Sequence, residues 1–192
     1  MLVTITGPTC SGKSTLETAL VEIFDCSKIV SFTTREIRAG EIHGVDYYYM
    51  KECPPDEDLV EKIHFNGNFY GILKSEVNKA SEGLTIVVVE PNGVEQLDAY
   101  CRRNGIPIYK IFISQPNEVL VSRFLNRFRN DPKADATYYA HRLLSLVDEA
   151  KLWYNDPTLY DAYFTGDDLV KSVSACLESI FENGLPTKRE AV

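Results

Sequence analysis

The sequence has 192 residues, 44% of them hydrophobic, and its 28 Asp and Glu outnumber its 20 Lys and Arg, giving a formal net charge of −8. This composition is typical of one soluble globular domain, and the acidity argues against a nucleic-acid-binding surface, which needs many Lys and Arg. Five scattered cysteines argue against a disulfide framework or zinc site, and no apolar run is long enough to cross a membrane. Since the first residues also lack a signal-peptide pattern, we expect a cytoplasmic protein with free thiols and small-molecule ligands.

The hydrophobic pattern predicts alternating strands and helices. A buried strand over Leu2–Thr6 leads through a glycine-rich turn into a helix over Lys13–Phe24, and a second strand is predicted over Lys28–Phe32. Residues 33–71 show no helical period, so we predict an irregular, partly β subdomain there. The later predictions are strands over Leu84–Val89, Ile106–Ile113 and Tyr160–Phe164, and helices over Ser75–Ser81, Val94–Arg103, Asn117–Phe128, Tyr139–Tyr154 and Leu169–Phe181. This order predicts an α/β fold with a parallel sheet.

A phosphate-binding loop is predicted between the first strand and the first helix. The segment Gly7–Ser14 reads GPTCSGKS and fits the pattern G-x-x-x-x-G-K-[ST] in its required context. Backbone N–H groups of such a loop surround the β-phosphate, and glycine permits the close approach. Lys13 supplies a positive charge to the β- and γ-phosphates, and the Ser14 hydroxyl is the expected ligand of Mg²⁺. The predicted ATP-binding residues are Gly7, Cys10, Ser11, Gly12, Lys13, Ser14 and Thr15.

A second motif carries cationic and phenolic side chains suited to another phosphate. Arg35 and Arg38 stand three positions apart, and a guanidinium can grip a phosphate dianion with two parallel hydrogen bonds. The alternative for these arginines is a solvated surface pair. Tyr47 and Tyr70 offer hydroxyl donors to the same phosphate oxygens.

The motif SFTTREIRAGEIHGVDYYY over Ser31–Tyr49 closely resembles the guanylate kinase signature S-x-TTR-x-x-R-x-GE-x-x-G-x-DY, and GNFYG over Gly67–Gly71 is similar to the GNYYG of that family. The resemblance covers nearly the whole chain. It implies a three-layer P-loop NTPase fold with a core over 1–32 and 84–185, a mixed NMP-binding subdomain over about 33–83, a helical lid over about 126–140 and a flexible tail over 186–192. It also implies transfer of the γ-phosphoryl of ATP to GMP or dGMP by a monomer or homodimer.

The resemblance assigns further acceptor residues. Glu61 stands where the family places the carboxylate that accepts from the N1–H and 2-amino groups of guanine, and Ser31 matches a serine that assists it. The alternative for Glu61 is an ordinary exposed glutamate. Glu90 matches an Asp near the acceptor and the metal, with helix capping as its alternative. Tyr47 and Tyr70 match the phosphate-binding tyrosines.

Ile72 departs from the family pattern, which has a Ser or Thr after the second tyrosine to donate to guanine O6. Losing this hydrogen bond costs about 1–3 kcal/mol, so the sequence leaves the base of the acceptor nucleotide undecided. The alternatives are a kinase of dTMP, of a modified base or of ribose bisphosphate. A peptide-binding module without catalysis is disfavoured because the phosphate loop is intact.

Mobile arginines are expected to close over the transferred phosphoryl group, where negative charge develops. Arg127 and Arg142 resemble the lid arginines of the family, with Arg129 as a further candidate. Arg123 is the member of this set that we expect to be a solvated surface charge. No nucleophilic side chain is needed, because the attacking group is a phosphate oxygen of the acceptor.

Overall fold

The structure is a computed structural model that describes residues 1–38, 40–65, 67–129, 137, 139–140, 143 and 158–184. The chain divides into two compact units, one made of Met1–Thr4 with Phe24–Tyr109, and the other of Ile5–Ile23 with Lys110–Val192. In the described ranges, no helix has the length and apolar character to span a membrane. The bounds predicted for the NMP-binding subdomain and the lid remain predictions.

The main sheet is parallel, as the alternating pattern predicted, and has the strand order β2–β7–β1–β8–β9. Its inner strands are made mostly of apolar and β-branched residues that are buried on both faces, which is typical of parallel sheets covered by helices. The strands are β1 (Leu2–Thr6), β2 (Ser27–Lys28), β7 (Thr85–Val88), β8 (Ile108–Ser114) and β9 (Ala162–Thr165).

The second sheet is mixed and lies wholly in the first unit, with the strand order β4–β3–β6–β5. The pair β3/β4 is parallel, whereas β3/β6 and β5/β6 are antiparallel. The strands are β3 (Phe32–Thr33), β4 (Tyr48–Tyr49), β5 (Leu59–Phe65) and β6 (Asn68–Leu73).

One sequence prediction is corrected in this region. The single strand predicted over 28–32 is wrong, because Lys28 belongs to the main sheet and Phe32 to the mixed one. Between them, the Val30 N–H donates to the side chain of Glu76 instead of to a neighbouring strand. The stretch over 33–71, predicted as irregular and partly β, contains most of the mixed sheet, including most of the regular β5–β6 hairpin.

The helices begin and end close to their predicted positions. The third helix begins at Pro91 instead of Val94, since proline is favoured in the first helical turn. The helix predicted over Tyr139–Tyr154 lies outside the described residues except at 139–140 and 143, which are helical. The described helices are α1 (Lys13–Phe24), α2 (Lys74–Asn78), α3 (Pro91–Asn104), α4 (Asn117–Arg129) and α5 (Leu169–Asn183), with 3₁₀ turns over Asp56–Asp58 and Lys79–Ser81.

Gly71 in β6 is expected to be intolerant of any side chain. A Cβ there would lie 2.1 Å from the Glu61 carbonyl oxygen and 2.7 Å from Phe32 Cε1. We therefore predict that Gly71→Ala lowers the free energy of unfolding by about 1–3 kcal/mol in chemical denaturation, the scale of overpacking in a packed core. Gly83→Ala is the control, since nothing lies within 4 Å of its Cβ position. Equal stabilities of the two variants would contradict this packing.

Candidate active site

The glycine-rich segment 7–14 leaves the carboxyl end of β1 and runs into α1. A Cβ on Gly7 would lie 2.2 Å from the Ile113 carbonyl oxygen, so only glycine fits there. Gly12 has a φ of 104° and Cys10 a φ of 66°, both in the left-handed region. Left-handed residues within such a turn direct successive N–H groups into an anion-binding concavity. The backbone conformation is therefore that of a phosphate-binding loop.

Lys13 lies at the first position of α1 and contacts the loop that precedes it. Its Nζ donates to the carbonyl oxygens of Gly7 at 2.7 Å and Pro8 at 2.9 Å. The Ser11 N–H donates to the Pro8 carbonyl at 3.1 Å and tightens the same turn. These contacts fix the ammonium group beside the N–H groups of the loop, where an anionic ligand meets both.

A cavity of about 640 Å³ in the second unit surrounds this loop, which is within the size range of small-ligand sites. It lies at the carboxyl ends of β1, β8 and β9, where ligands bind in open α/β sheets. The Gln115 Nε2 donates to the Gly166 carbonyl at 2.5 Å and ties together two of its walls. The lining residues are Thr9–Leu16, Gln115, Arg123, Arg127 and Gly166–Val170.

Two arginines of α4 line the same cavity. Arg123 and Arg127 are four residues apart and therefore share one helix face. The Arg123 Nη1 donates to the carbonyl oxygens of Cys10 at 3.3 Å and Ser11 at 3.4 Å. Arg123 is exposed, as expected of a solvated surface charge, and its position on the face it shares with Arg127 also places it against the loop. Arg142 lies outside the described residues.

In the first unit, Arg35 is held by a bidentate ion pair with Glu41. Its Nη1 donates to Glu41 Oε2 at 3.0 Å and to the Glu36 carbonyl at 2.7 Å, and its Nη2 donates to Glu41 Oε1 at 2.8 Å. The hydrogen bond from Arg35, and next the Arg38 backbone N–H, lower the pKa of Glu41 to about 2. A guanidinium has five N–H donors, so Arg35 is oriented by Glu41 and retains donors for a ligand.

Aromatic rings surround the Arg35 guanidinium. The rings of Tyr47 and Tyr49 both have their centroids 5.7 Å from it, and the Tyr70 ring lies 6.1 Å from that of Tyr47. Burial raises the pKa of the Tyr47 hydroxyl, which therefore remains a proton donor at neutral pH. Arg38 is exposed beside this group, and its backbone N–H donates to Glu41 Oε2 at 2.8 Å. The structure thus brings together Arg35, Tyr47 and Tyr70.

The two threonines before Arg35 fix the backbone of this cluster. The Thr33 Oγ1 accepts from the Arg35 N–H at 3.1 Å. Thr34 bonds to Phe69 twice, with its N–H donating to the Phe69 carbonyl at 3.0 Å and its Oγ1 accepting from the Phe69 N–H at 2.9 Å. These bonds join the chain at Arg35 to β6 and explain the residue types of the TTR segment.

Glu61 in β5 is a buried carboxyl group, 6% exposed. Its Oε1 lies against α3, where a Cβ on Gly93 would be 2.7 Å away. In the described part of the chain, no hydrogen bond to this carboxyl is found. Burial, and then the charge of Glu90, raise the pKa of Glu61 to about 7. The reading of Glu61 as an ordinary exposed residue is therefore wrong.

The other predicted acceptor residues differ in their environments. Ile72 is the Cα partner of Glu61 across the β5–β6 pair, so both side chains stand on one face of the sheet, and Ile72 is 1% exposed. Glu90 occupies the N-cap position of α3 without a side-chain capping bond, which removes capping as its explanation. Ser31 is half-buried, and its carbonyl accepts from the Tyr48 N–H at 2.9 Å.

Comparison with known proteins gives a consistent family. The family model described as guanylate kinase matches residues 1–183. The guanylate kinase of Chlamydia felis is 33% identical over 94% of this chain and 86% of its own length, and that of Sus scrofa is 32% identical over 94% of this chain and 91% of its own. This chain belongs to the guanylate kinase family.

The structural comparison agrees with this assignment. The crystal structure of guanylate kinase from Anaplasma phagocytophilum covers 98% of this chain and 88% of its own, with a TM-score of 0.62 at 20% identity, and so shares the fold. The predicted P-loop α/β fold class and the phosphotransferase class of the guanylate kinase family are therefore confirmed. The alternatives of a ribose bisphosphate kinase and a non-catalytic module are not favoured.

The raised pKa of Glu61 predicts a pH-dependent cost in stability. Below about pH 4.5 the carboxyl is protonated in both the folded and unfolded chain, whereas above about pH 7 it is ionised in both, at a cost to the folded state. The free energy of unfolding therefore falls by on the order of 2–3 kcal/mol as the pH rises from about 4.5 to about 7.

We predict that Glu61→Gln, measured by urea denaturation without ligand, gains about 2–3 kcal/mol relative to wild type between pH 5 and pH 8. Glu95→Gln, at an exposed glutamate of α3, is the control and should follow the wild type at both pH values. A constant difference between Glu61→Gln and wild type across this range would contradict the buried carboxyl.

Proposed function

We propose that this protein transfers the γ-phosphoryl group of ATP to GMP or dGMP. The observation that carries the proposal is the buried Glu61 carboxyl, for which the described residues supply no donor. A buried acceptor without donors is costly unless a ligand provides them. Guanine offers two adjacent donors, its N1–H and its 2-amino group, and adenine has no such pair. Membership of the guanylate kinase family supports the same acceptor.

On the donor side, we assign ATP to the cavity around segment 7–14. The N–H groups of the loop bind the β-phosphate, and Lys13 binds the β- and γ-phosphates. Arg127, which lines the cavity, and Arg142 stabilise the charge that develops on the transferred phosphoryl group. The conformations of Gly7 and Gly12 and the position of Lys13 support this assignment.

Mg²⁺ fits the oxygen donors of this cavity. Magnesium is bound mainly by substrate phosphates, water and one or two protein oxygens, and here the Ser14 hydroxyl is the protein ligand we assign. Within the described residues no cluster of three His, Cys, Asp or Glu could hold a metal by itself. Bound there, the ion would neutralise charge on the β- and γ-phosphates.

On the acceptor side, we assign the phosphate of GMP to Arg35, Arg38, Tyr47 and Tyr70. One of its oxygens attacks the γ-phosphorus of ATP, the bond to the β–γ bridging oxygen breaks, and ADP leaves. Since the attacking group is already anionic, positioning and charge neutralisation are the main tasks of the protein. We assign the selection of the base to Glu61, with Ser31 and Glu90 as further residues of the acceptor site.

The direct test is a panel of GMP, dGMP, AMP, dTMP and dUMP assayed with ATP and Mg²⁺. We expect GMP or dGMP to have the highest kcat/KM, and Glu61→Ala to reduce the preference for guanine over adenine by on the order of 10⁴-fold. Preference for dTMP or dUMP would overturn the base assignment. No turnover of any monophosphate would overturn the whole proposal.

Ile72 gives a second test, because it stands opposite Glu61 without a hydrogen-bonding group. We predict that Ile72→Thr raises kcat/KM for GMP by roughly tenfold, the value of one hydrogen bond to guanine O6. Ile72→Val is the matched control, since valine has the shape of threonine without the hydroxyl. A change of the same size in both variants would attribute the effect to packing and contradict the prediction.

A further inference from the structure

Glu76 is a buried carboxylate outside the proposed acceptor residues. It lies in the short helix α2, is 4% exposed, and accepts three hydrogen bonds. The Val30 N–H donates to its Oε2 at 3.1 Å, the Tyr48 hydroxyl to its Oε1 at 3.1 Å, and the Lys79 Nζ to its Oε1 at 2.6 Å. Such partners offset the cost of burying a carboxylate, and the three bonds form one connected group because they share Glu76 as acceptor.

Two of these donors belong to segments that carry proposed acceptor residues. Val30 directly precedes Ser31, and Tyr48 directly follows Tyr47. Burial, and next the Glu76 carboxylate, raise the pKa of the Tyr48 hydroxyl, which therefore stays protonated and donates. Glu76 thus binds both segments from one point on α2.

The strand that contains Tyr48 needs such support. β4 has two residues and lies at the edge of the mixed sheet. The Tyr48 N–H donates to the Ser31 carbonyl at 2.9 Å, and the Met50 N–H to the Thr33 carbonyl at 2.9 Å. So short an edge strand has little ladder bonding of its own, and its position depends on side-chain contacts.

We propose that Glu76 is a positioning residue for the acceptor nucleotide, holding the Ser31 and Tyr47 segments at the spacing that GMP requires. The inference rests on the proposed function. We place Glu76 outside contact with the substrate, so that it acts through Val30 and Tyr48. Loss of its bonds should therefore weaken the binding of GMP while leaving the binding of ATP unchanged.

A purely structural role makes a different prediction, which a second tyrosine of the same unit can distinguish. The Tyr100 hydroxyl donates to Asn78 Oδ1 at 2.8 Å, also on α2, and Tyr100 is buried. Tyr100→Phe therefore removes one tyrosine hydrogen bond to the same helix without affecting the Ser31 or Tyr47 segment. It is the matched control for Tyr48→Phe.

The experiment is steady-state kinetics with GMP and ATP on full-length Tyr48→Phe, Glu76→Gln, Tyr100→Phe and wild type, with melting temperatures measured in parallel. We expect Tyr48→Phe and Glu76→Gln each to raise KM for GMP by roughly tenfold, with little change in KM for ATP or in kcat. In Tyr100→Phe, KM for GMP should remain that of wild type. In the double variant that combines Tyr48→Phe with Glu76→Gln, KM for GMP should be close to that of Glu76→Gln alone, because both changes remove the same contact.

The other outcomes of these measurements separate the positioning role of Glu76 from the proposed function. Equal rises in KM for GMP and ATP, or a rise in Tyr100→Phe as large as in Tyr48→Phe, would overturn the positioning role and leave the proposed function intact. If Glu76→Gln fails to fold, Tyr48→Phe alone decides by the same criteria. A wild-type protein that does not phosphorylate GMP would overturn the proposed function, and this inference with it.

Discussion

The Glu61 carboxyl, buried and without a hydrogen-bond donor among the described residues, is the constraint on which the proposed acceptor site depends. Glu61 lies between β6 and α3, and on each side a glycine makes the fit possible. A Cβ on Gly71 would collide with the Glu61 carbonyl oxygen, and one on Gly93 with its carboxylate. A glycine inside a helix costs about 1 kcal/mol relative to alanine, so Gly93 is there for close approach and not for helix stability. The protein thus holds Glu61 in a position that is unfavourable until a ligand supplies donors.

The two phosphate-binding regions use different means. Segment 7–14 presents backbone N–H groups, so its geometry depends on the conformations of Gly7 and Gly12 and on few side chains. The proposed acceptor site uses side chains, each of which needs another residue to orient it. Glu41 orients Arg35 through their ion pair, and Glu76 accepts a hydrogen bond from Tyr48, the residue that follows Tyr47. Substitutions of Glu41 or Glu76 should therefore weaken the binding of the acceptor nucleotide more than the binding of ATP.

The sequence predicted the features that depend on local pattern. Segment 7–14, β1 and α1 follow from glycine placement and hydrophobic period, and the structure agrees with all three. The stretch over 33–71 was predicted as partly β, but no hairpin was placed in it, although the Asn66–Gly67 dipeptide of the sequence is a strong hairpin signal. The prediction for this region rested on its lack of a helical period, which does not fix the positions of strands.

Other features could not be predicted because they depend on tertiary contacts. A glutamate in a short polar helix looks exposed, and only the packing of Val30 and Tyr48 around it shows that Glu76 is buried. Likewise, the contact of Arg123 with the Cys10 carbonyl joins residues 113 positions apart. The spacing from the GNFYG motif located Glu61, whereas only the structure shows that it is buried and that the described residues offer it no donor.

The most direct test of the account is the number of protons released when GMP binds at pH 7. With a pKa of about 7, the Glu61 carboxyl is half protonated before binding, and it must be ionised to accept two donors from guanine. Calorimetric titrations in two buffers of different ionisation enthalpy should show release of about half a proton per GMP bound. The phosphate of GMP, with a second pKa near 6, contributes about a tenth of a proton. Release of a tenth or less would contradict the claim that a half-protonated Glu61 carboxyl ionises to recognise the base.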